Sequence, residues 1–520
     1  MAAILLSTLN ARYFHASLGL RYLLANMEEL RTATQLLEFI ITQPPIDIVA
    51  SLLEQRPRII GFGVYIWNVE ETTKVVSLLK QIRPDIPIVL GGPEVSYEST
   101  EQTIVQLADY VITGPADIGF VKLCRQILAN EPSAMKIIPA ETVPLTQLRF
   151  PYHEYTLEDI AHRLIYVEAS RGCPFKCEFC LSSLDKTAKS FALERFLEQI
   201  QDLYHRGARQ FKFVDRTFNL NIDTGIRILE FFLERLDERL FLHFELIPDH
   251  LPDRLKTVIA RFPPGSLQFE IGIQSFNPTV QALISRKQDN RKTEENLVWL
   301  RQHSQAHLHA DLIVGLPGED IESFGTGFNR LVALNPHEIQ VGILKRLRGT
   351  PITRYTAGFG IKYNPYPPYN LLCSNLIDFT IMRRLEHFAR YWDMIANSGR
   401  FHHTRPVLLG DNPFERFLRF SDWLFATTRQ THQIALERLF DLVYRGLLSA
   451  LAVEQDTALA VLTRDYQDSG TKGHPAFIRR DTRESSRKKR PTPLSTTSRQ
   501  IRHSKKTESG KPNDHSKTVL

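Results

Sequence analysis

The sequence has 520 residues, 43% hydrophobic and 23% charged, with a formal net charge of +6 and five cysteines. That length calls for two or three domains, and the apolar fraction is enough for real cores, which excludes a wholly disordered, collagen-like or mucin-like chain. The longest apolar run, Ile59 to Trp67, is about half the ~20 residues of a membrane-spanning helix; with no secretory signal and no disulfide framework, a soluble cytoplasmic protein with no membrane contact is expected.

Residues 1–138 alternate short β-rich runs with helical stretches: strands over 3–6, 58–64, 86–90 and 110–112, helices over 18–30, 69–82 and 101–107. Such a rhythm predicts a doubly wound, Rossmann-like parallel sheet covered on both faces. Its ligands bind at the carboxyl ends of the strands, so the loops 8–17, 65–68, 91–96 and 114–117 are the ones to watch. A linker containing Pro139, Pro144 and Pro151 follows. The beat then lengthens over 155–350, with strands expected at 164–169, 211–214, 240–246, 267–273, 310–314 and 338–343. Six strands with intervening helices suit a partial (β/α)6, TIM-like barrel open on one side. Residues 351–465 read as a helical, aromatic-rich domain and 466–520 as a disordered basic tail. From 478 to 520 there are 13 Lys and Arg against 4 Asp and Glu, so the surplus of +9 leaves the rest of the chain near −3. The tail can touch RNA, DNA or acidic lipid; its lack of apolar residues favours a plain solvated segment.

The strongest local signal is Cys173-Pro-Phe-Lys-Cys177-Glu-Phe-Cys180, just after the first barrel strand, within Glu168-Ala-Ser-Arg-Gly172. Thiolates this close suit a soft metal or an iron–sulfur cluster. A structural zinc site wants a fourth Cys or His at matching spacing, and the next histidine is His205. Three cysteines can hold three irons of a [4Fe–4S] cube and leave the fourth open. Here the sequence resembles the radical S-adenosylmethionine (SAM) enzymes, whose hallmark is this spacing with an aromatic, Phe179, before the last cysteine. The resemblance implies Cys173, Cys177 and Cys180 as cluster ligands and SAM on the open iron, cleaved reductively to a 5′-deoxyadenosyl radical.

Further motifs extend the likeness. Phe269-Glu-Ile-Gly272-Ile-Gln274-Ser275, with Arg286 beyond it, and Asp311-Leu-Ile-Val-Gly315-Leu316-Pro317-Gly318-Glu319 resemble the fourth and fifth barrel strands of the subgroup containing oxygen-independent coproporphyrinogen oxidase and the methylthiotransferases. By that resemblance Glu245, Gln274, Arg286 and Asp311 hold SAM; an Arg suits its carboxylate. The family's Gly-rich turn after the second strand is replaced by Val214-Asp215-Arg216-Thr217-Phe218-Asn219. Asp215 and Thr217 are then candidates to meet the methionyl amine, and the alternative for Asp215 is a cap on the next helix.

For the first domain, a methylthiotransferase would need three further cysteines, and only Cys124 is there. The segments Ile88-Val-Leu-Gly91-Gly92-Pro93 and Ile112-Thr-Gly114 resemble the cobalamin-binding radical SAM group, which implies Gly91, Gly92 and Gly114 as cofactor contacts where backbone approaches closely. The Asp-x-His-x-x-Gly motif that supplies a cobalt ligand is absent: the loop reads Asn10 to Gly19 with His15 inside it. His15 is therefore expected to make an ordinary hydrogen bond, while Tyr65, Trp67 and Asn68 either support a corrin face or belong to the core. The segment from Pro367-Pro368-Tyr369 onward resembles the uncharacterised C-terminal domain of one such group. Cys124 and Cys373 default to buried apolar residues. Lys345, Arg346 and Arg348 either meet an anionic substrate or form a solvated edge. The resemblance implies a cobalamin-dependent enzyme methylating an unactivated carbon of a small-molecule substrate, fed by an external electron donor such as flavodoxin or ferredoxin. Two alternatives stay open: a radical SAM rearrangement, oxidation or C–C bond formation without methyl transfer, and an iron–sulfur regulatory or nucleic-acid-binding protein.

Overall fold

A computed structural model describes residues 3–131, 133–470 and 475–477. From residue 478 on, the expected basic tail, with its suggested nucleic-acid contact, lies outside the described residues. The helix Gln455–Ser469 runs past the expected tail start at 466, because Tyr466 packs edge-on against Phe440 and buried Asp465 accepts from the backbone N–H groups of His403 and Thr404.

The first sheet contains β1 (Ile4–Asn10), β2 (Thr34–Ile40), β3 (Ile59–Gly63), β4 (Ile88–Gly91), β5 (Tyr110–Thr113) and β6 (Ile137–Pro139), all parallel, in the order β2-β1-β3-β4-β5-β6. Every residue of β1 is buried, as a strand with helices on both faces requires. One apolar layer gathers Ile48, Leu52, Val75 and Leu79, the other Leu20, Leu24, Phe120 and Val121. The order reverses between β1 and β3, which is where such sheets open a ligand crevice. The sequence reading omits β2 and β6. As an edge strand β2 carries polar Gln35 and Glu38 and shows no apolar alternation; Glu38 is buried against Arg21 and Arg163, each at 2.8 Å.

The second sheet contains β7 (Ile165–Val167), then, beyond a small hairpin of β8 (Ser170–Arg171) and β9 (Lys189–Ser190), β10 (Gln210–Phe213), β11 (Phe241–Leu246), β12 (Leu267–Gln274), β13 (His307–Val314) and β14 (Glu338–Ile343). The order β7-β10-β11-β12-β13-β14 follows the chain, every pairing is parallel, and β7 does not pair with β14. This is the open six-stranded barrel that the β/α rhythm predicts. Phe211, Phe213, Leu242 and Phe244 are fully buried under its helices, while the alternate positions along β10 to β13 carry Lys212, His243, Glu245, Glu270, His309 and Asp311. Its core continues without a break into the C-terminal helices Phe379–Ile395, Pro413–Thr428 and Leu436–Ser449, through the ring cluster of Phe328, Phe388, Trp392, Phe414 and Phe417. The chain between these parts forms a hairpin of β15 (Lys362–Tyr363) and β16 (Leu371–Cys373).

The first sheet and the barrel are joined by buried polar contacts. Leu164 N–H donates to Phe14 C=O at 2.9 Å, and the buried Arg21 guanidinium reaches both Glu38 and Asp159. No helix among the described residues is long and apolar enough to cross a membrane.

Candidate functional site

The cysteine loop leaves the hairpin at Gly172, whose φ is +87°; a Cβ there would sit 1.7 Å from Thr187 C=O, so only glycine permits this approach. Cys173 N–H then donates to Asp185 C=O at 3.0 Å, and Ser183 Oγ donates to the carbonyls of Cys177 and Cys180. Glu178, between the cysteines, is buried and its carboxylate accepts from Ser285 Oγ and Arg354 Nη2, each at 2.6 Å. The loop is thus braced from both sides with its three thiols on one cavity of about 240 Å³ at the carboxyl ends of the barrel strands.

That cavity brings together Cys173, Cys177, Cys180, Thr217, Glu245, Gln274, Arg286 and Asp311. Gln274 takes φ = +70° at a bulge in β12, and its Oε1 is buried without a hydrogen-bond partner, as is Oδ1 of Asp311. His309 Nε2 stands 3.4 Å from that oxygen. Arg286 donates through Nη2 to Gly272 C=O and stands 3.8 Å from Cys177 Sγ through Nη1. Among the described residues no three His, Cys, Asp or Glu side chains are gathered as for a single metal ion; a cube needs no such convergence, because each thiolate takes its own iron.

Asp215 is the exception among the expected residues. It does not line the cavity. Its carboxylate turns back to accept from Ala169 N–H and Ser170 Oγ, at 3.0 and 2.6 Å, tying the end of β10 to the end of β7; burial pushes it up to about 7. The adjacent Arg216 lines the cavity instead and meets Glu245 Oε1 at 2.6 Å. Asp249, Lys287 and Gln288 are other members that sequence reasoning missed, as is Glu270. Burial opposes its ionisation, but a hydrogen bond from His243 at 3.1 Å and the Lys212 ammonium at 3.3 Å hold its carboxyl well below the usual range. The same burial, with the Glu270 charge, pushes Asp311 upward. The period-two alternation along β10, β11 and β12 was the signal that could have placed Lys212, His243 and Glu270 beside Glu245.

A second cavity, of about 350 Å³, lies at the carboxyl ends of β3, β4 and β5, lined by Gly63, Tyr65, Gly91, Gly92 and Gly114 and otherwise mostly apolar. At Gly92 φ is +107° and a Cβ would fall 2.4 Å from Val64 C=O. Ser96 Oγ bridges the two turns, donating to Gly92 C=O and accepting from Gly114 N–H. Tyr65 stacks on Trp67 at 4.4 Å. Asn68 is fully buried and fastens their loop: Nδ2 donates to Thr8 Oγ1 and to the carbonyls of Leu9 and Gly63, and Oδ1 accepts from Tyr65 N–H. His15 lies outside this cavity, its Nδ1 2.5 Å from Tyr166 OH on β7, so it makes the ordinary contact expected of it. Glu168 and Arg171 complete the wall, with Arg171 bridging Glu168 and Asp117.

Arg346 and Arg348 are engaged in ion pairs with the first sheet. They pair with Glu98 and Glu94 beyond β4, and Tyr369 OH also donates to Glu94 at 2.6 Å. Cys124 is fully buried, and burial pushes its thiol up to about 12. Cys373 is half-buried.

Residues 167–328 match the model of the Radical SAM superfamily, residues 5–123 that of the B12 binding domain, and residues 357–517 that of a protein of unknown function, DUF4080. The chain is 23% identical over 365 residues to the 2-(S-pantetheinyl)-carbapenam-3-carboxylate methyltransferase of Streptantibioticus cattleyicolor, covering 62% of this chain and 53% of that one. It is 23% identical over 349 residues to the cobalamin-dependent radical SAM methyltransferase TokK of Streptomyces tokunonensis, covering 58% and 50%. It therefore spans about half the length of these curated relatives. The fold is similar to that of the radical SAM methyltransferase TsrM of Kitasatospora setae, solved with cobalamin and a [4Fe–4S] cluster. The TM-score is 0.60 at 15% identity, over 91% of this chain and 100% of that one.

Proposed function

We propose that the chain is a cobalamin-dependent radical SAM enzyme that methylates an unactivated carbon of a small-molecule substrate, with an external electron donor such as flavodoxin or ferredoxin in the cytoplasm. On this reading it divides into a cobalamin domain over 1–138, a radical SAM barrel over 155–350 and a helical domain from 351 to the end of the helix Gln455–Ser469. One observation carries the reading: Glu168 and Arg171 line the cavity of the first sheet while Cys173, in the same loop, lines that of the barrel. Two cofactor sites separated by a single loop are what coupled chemistry on one substrate requires.

The residues fit the groups. Cys173, Cys177 and Cys180 would hold three irons of a [4Fe–4S] cluster. Burial keeps the thiols of Cys173 and Cys177 up, so they favour the protonated form until a metal displaces the proton. The Arg216 and Arg286 guanidinium groups work in the opposite direction, towards thiolate. For SAM, Gln274 Oε1 and Asp311 Oδ1, the latter with only the ion-pair contact of His309 beside it, are buried acceptors without a hydrogen bond that suit donors such as ribose hydroxyls or an amine. Glu245 and Thr217 stand on the same cavity, and Arg286 can pair a carboxylate. Gly91, Gly92 and Gly114 leave room for a nucleotide tail beside β4 and β5. When bound, these groups supply the radical that takes hydrogen from carbon and the methyl that replaces it; the protein's own work is to orient them and to exclude water and oxygen.

Anaerobic reconstitution with iron, sulfide and hydroxocobalamin tests this. The expected result is about four irons per chain and bound corrin, with the iron lost in the Cys173→Ala/Cys177→Ala/Cys180→Ala variant. A cluster without corrin would remove the methylation reading, and no cluster would remove the enzyme reading. Methylated product with S-adenosylhomocysteine separates methyl transfer from rearrangement or oxidation.

A further inference from the structure

The geometry points to a docking place for a short extended peptide on the free edge of β14, at the open flank of the barrel. A strand presents its main-chain groups to its two sides alternately, and at a sheet edge one set is left over. Leu344 N–H donates to Val314 C=O, so the even-numbered residues of β14 face β13 and the odd-numbered ones face outward.

The chain itself closes both ends of this outward row. At Ile339 the carboxamide of Asn397 imitates a neighbouring peptide group: Nδ2 donates to Ile339 C=O at 2.8 Å, and Oδ1 accepts from Ile339 N–H at 3.0 Å. Just beyond the strand the chain turns away from β13 and pairs with the hairpin, Lys345 bridging Asn370 and Leu371 N–H donating to Leu344 C=O at 2.8 Å. Between these two closures lie Val341 and Ile343, and both line a cavity of about 740 Å³ with a mixed polar and apolar wall. The opposite edge of the barrel is not open in this way, because the chain around β7 is paired by Phe14 and His15.

The occupant that fits is a peptide. Val341 and Ile343 offer donors and acceptors at strand spacing, which an extended main chain answers group for group. The walls carry charges of both signs: Arg383 and Arg390 with Glu386 and Asp393, all on the helix Phe379–Ile395, beside exposed Phe379. They suit the alternating side chains of an added strand. The cavity also reaches into the barrel through His309, next to Asp311 of the cysteine cavity. The docking is separate from the small-molecule chemistry and does not rest on the proposed radical function.

The test is panning of a phage-displayed random heptapeptide library against the anaerobically loaded full chain, with enriched sequences resynthesised as labelled capped peptides and measured by fluorescence anisotropy. Val341→Pro removes one outward N–H at a position where an edge strand tolerates proline, and affinity is expected to fall about tenfold or more. Single N-methylation along the peptide is expected to weaken binding at every second residue, a pattern that requires no variant to fold. No enrichment over an unrelated protein would overturn the inference. Equal binding by Val341→Pro would overturn it too, as would indifference to N-methylation. Anisotropy does not depend on SAM cleavage, so methylation can fail while docking stands.

Discussion

Gly91 and Gly92 are neighbours with opposite physical roles, and exchanging each for alanine separates folding from cofactor contact. At Gly92 an added Cβ would lie 2.4 Å from Val64 C=O and 3.0 Å from Val64 N, on a backbone held at φ = +107°. The unfavourable φ costs about 1–2 kcal/mol, and forcing β3 and β4 apart adds about 1–3 kcal/mol. Gly92→Ala should therefore lose about 3 kcal/mol, which for an m of ~3 kcal/mol per M lowers the urea midpoint of the first sheet by about 1 M. At Gly91 the nearest atom to a Cβ is Ile112 C=O at an ordinary 3.7 Å. Gly91→Ala should leave the midpoint within about 0.5 kcal/mol of the parent. It lines the cavity, however, and should weaken hydroxocobalamin binding about tenfold, or about 1.4 kcal/mol, in an absorbance titration. An unchanged midpoint in Gly92→Ala would refute the close-approach argument, and unchanged corrin affinity in Gly91→Ala would refute the cavity as the corrin site.

Arg348→Ala leaves Glu94, 4% exposed, with only the Tyr369 hydroxyl; a loss of about 2–3 kcal/mol is expected in urea unfolding, below the ~3–5 kcal/mol of a fully stranded charge. Asn68→Ala removes the fastening of the 65–68 loop and should cost about 2–4 kcal/mol, with faster amide exchange at Tyr65 as the local readout. Asp215 is pushed up to about 7 in the folded chain, above the ordinary carboxylate range, so the native state holds more protons between that range and pH 7 than the unfolded chain does. Its contribution is therefore full at low pH and is lost as pH rises towards 7. Asp215→Asn should flatten the fall of the urea midpoint between pH 5 and pH 7.5, and a slope equal to the parent's would contradict the assignment.

The cysteine loop was legible because its three thiols sit within eight residues and need no tertiary information. Glu245, Gln274 and Asp311 were legible because strand ends converge in any β/α barrel, whichever loops intervene. Asp215 misled for the same reason. A strand-end acid looks like a ligand, and nothing local says that its carboxylate turns back to the amide of Ala169. Arg216 was overlooked because its partner, Glu245, lies on another strand. The tie between Arg348 and Glu94 joins residues 254 positions apart and leaves no trace in local pattern. Strand β2 was missed because its buried charge, Glu38, reads as a solvent-facing residue until Arg21 and Arg163 are placed beside it.

That buried knot also bears on how the chain can be recombined. Arg21, on the helix Leu18–Ala25, and Glu38, on β2, belong to the first 138 residues, Asp159 and Arg163 to the segment that enters the barrel, and all four are enclosed by one another. A chimera that exchanges the first 138 residues for those of a relative would import one half of a lock without its key. Graftable modules in this architecture are therefore bounded by matched charge sets, not by the proline-rich stretch that marks the join in the sequence.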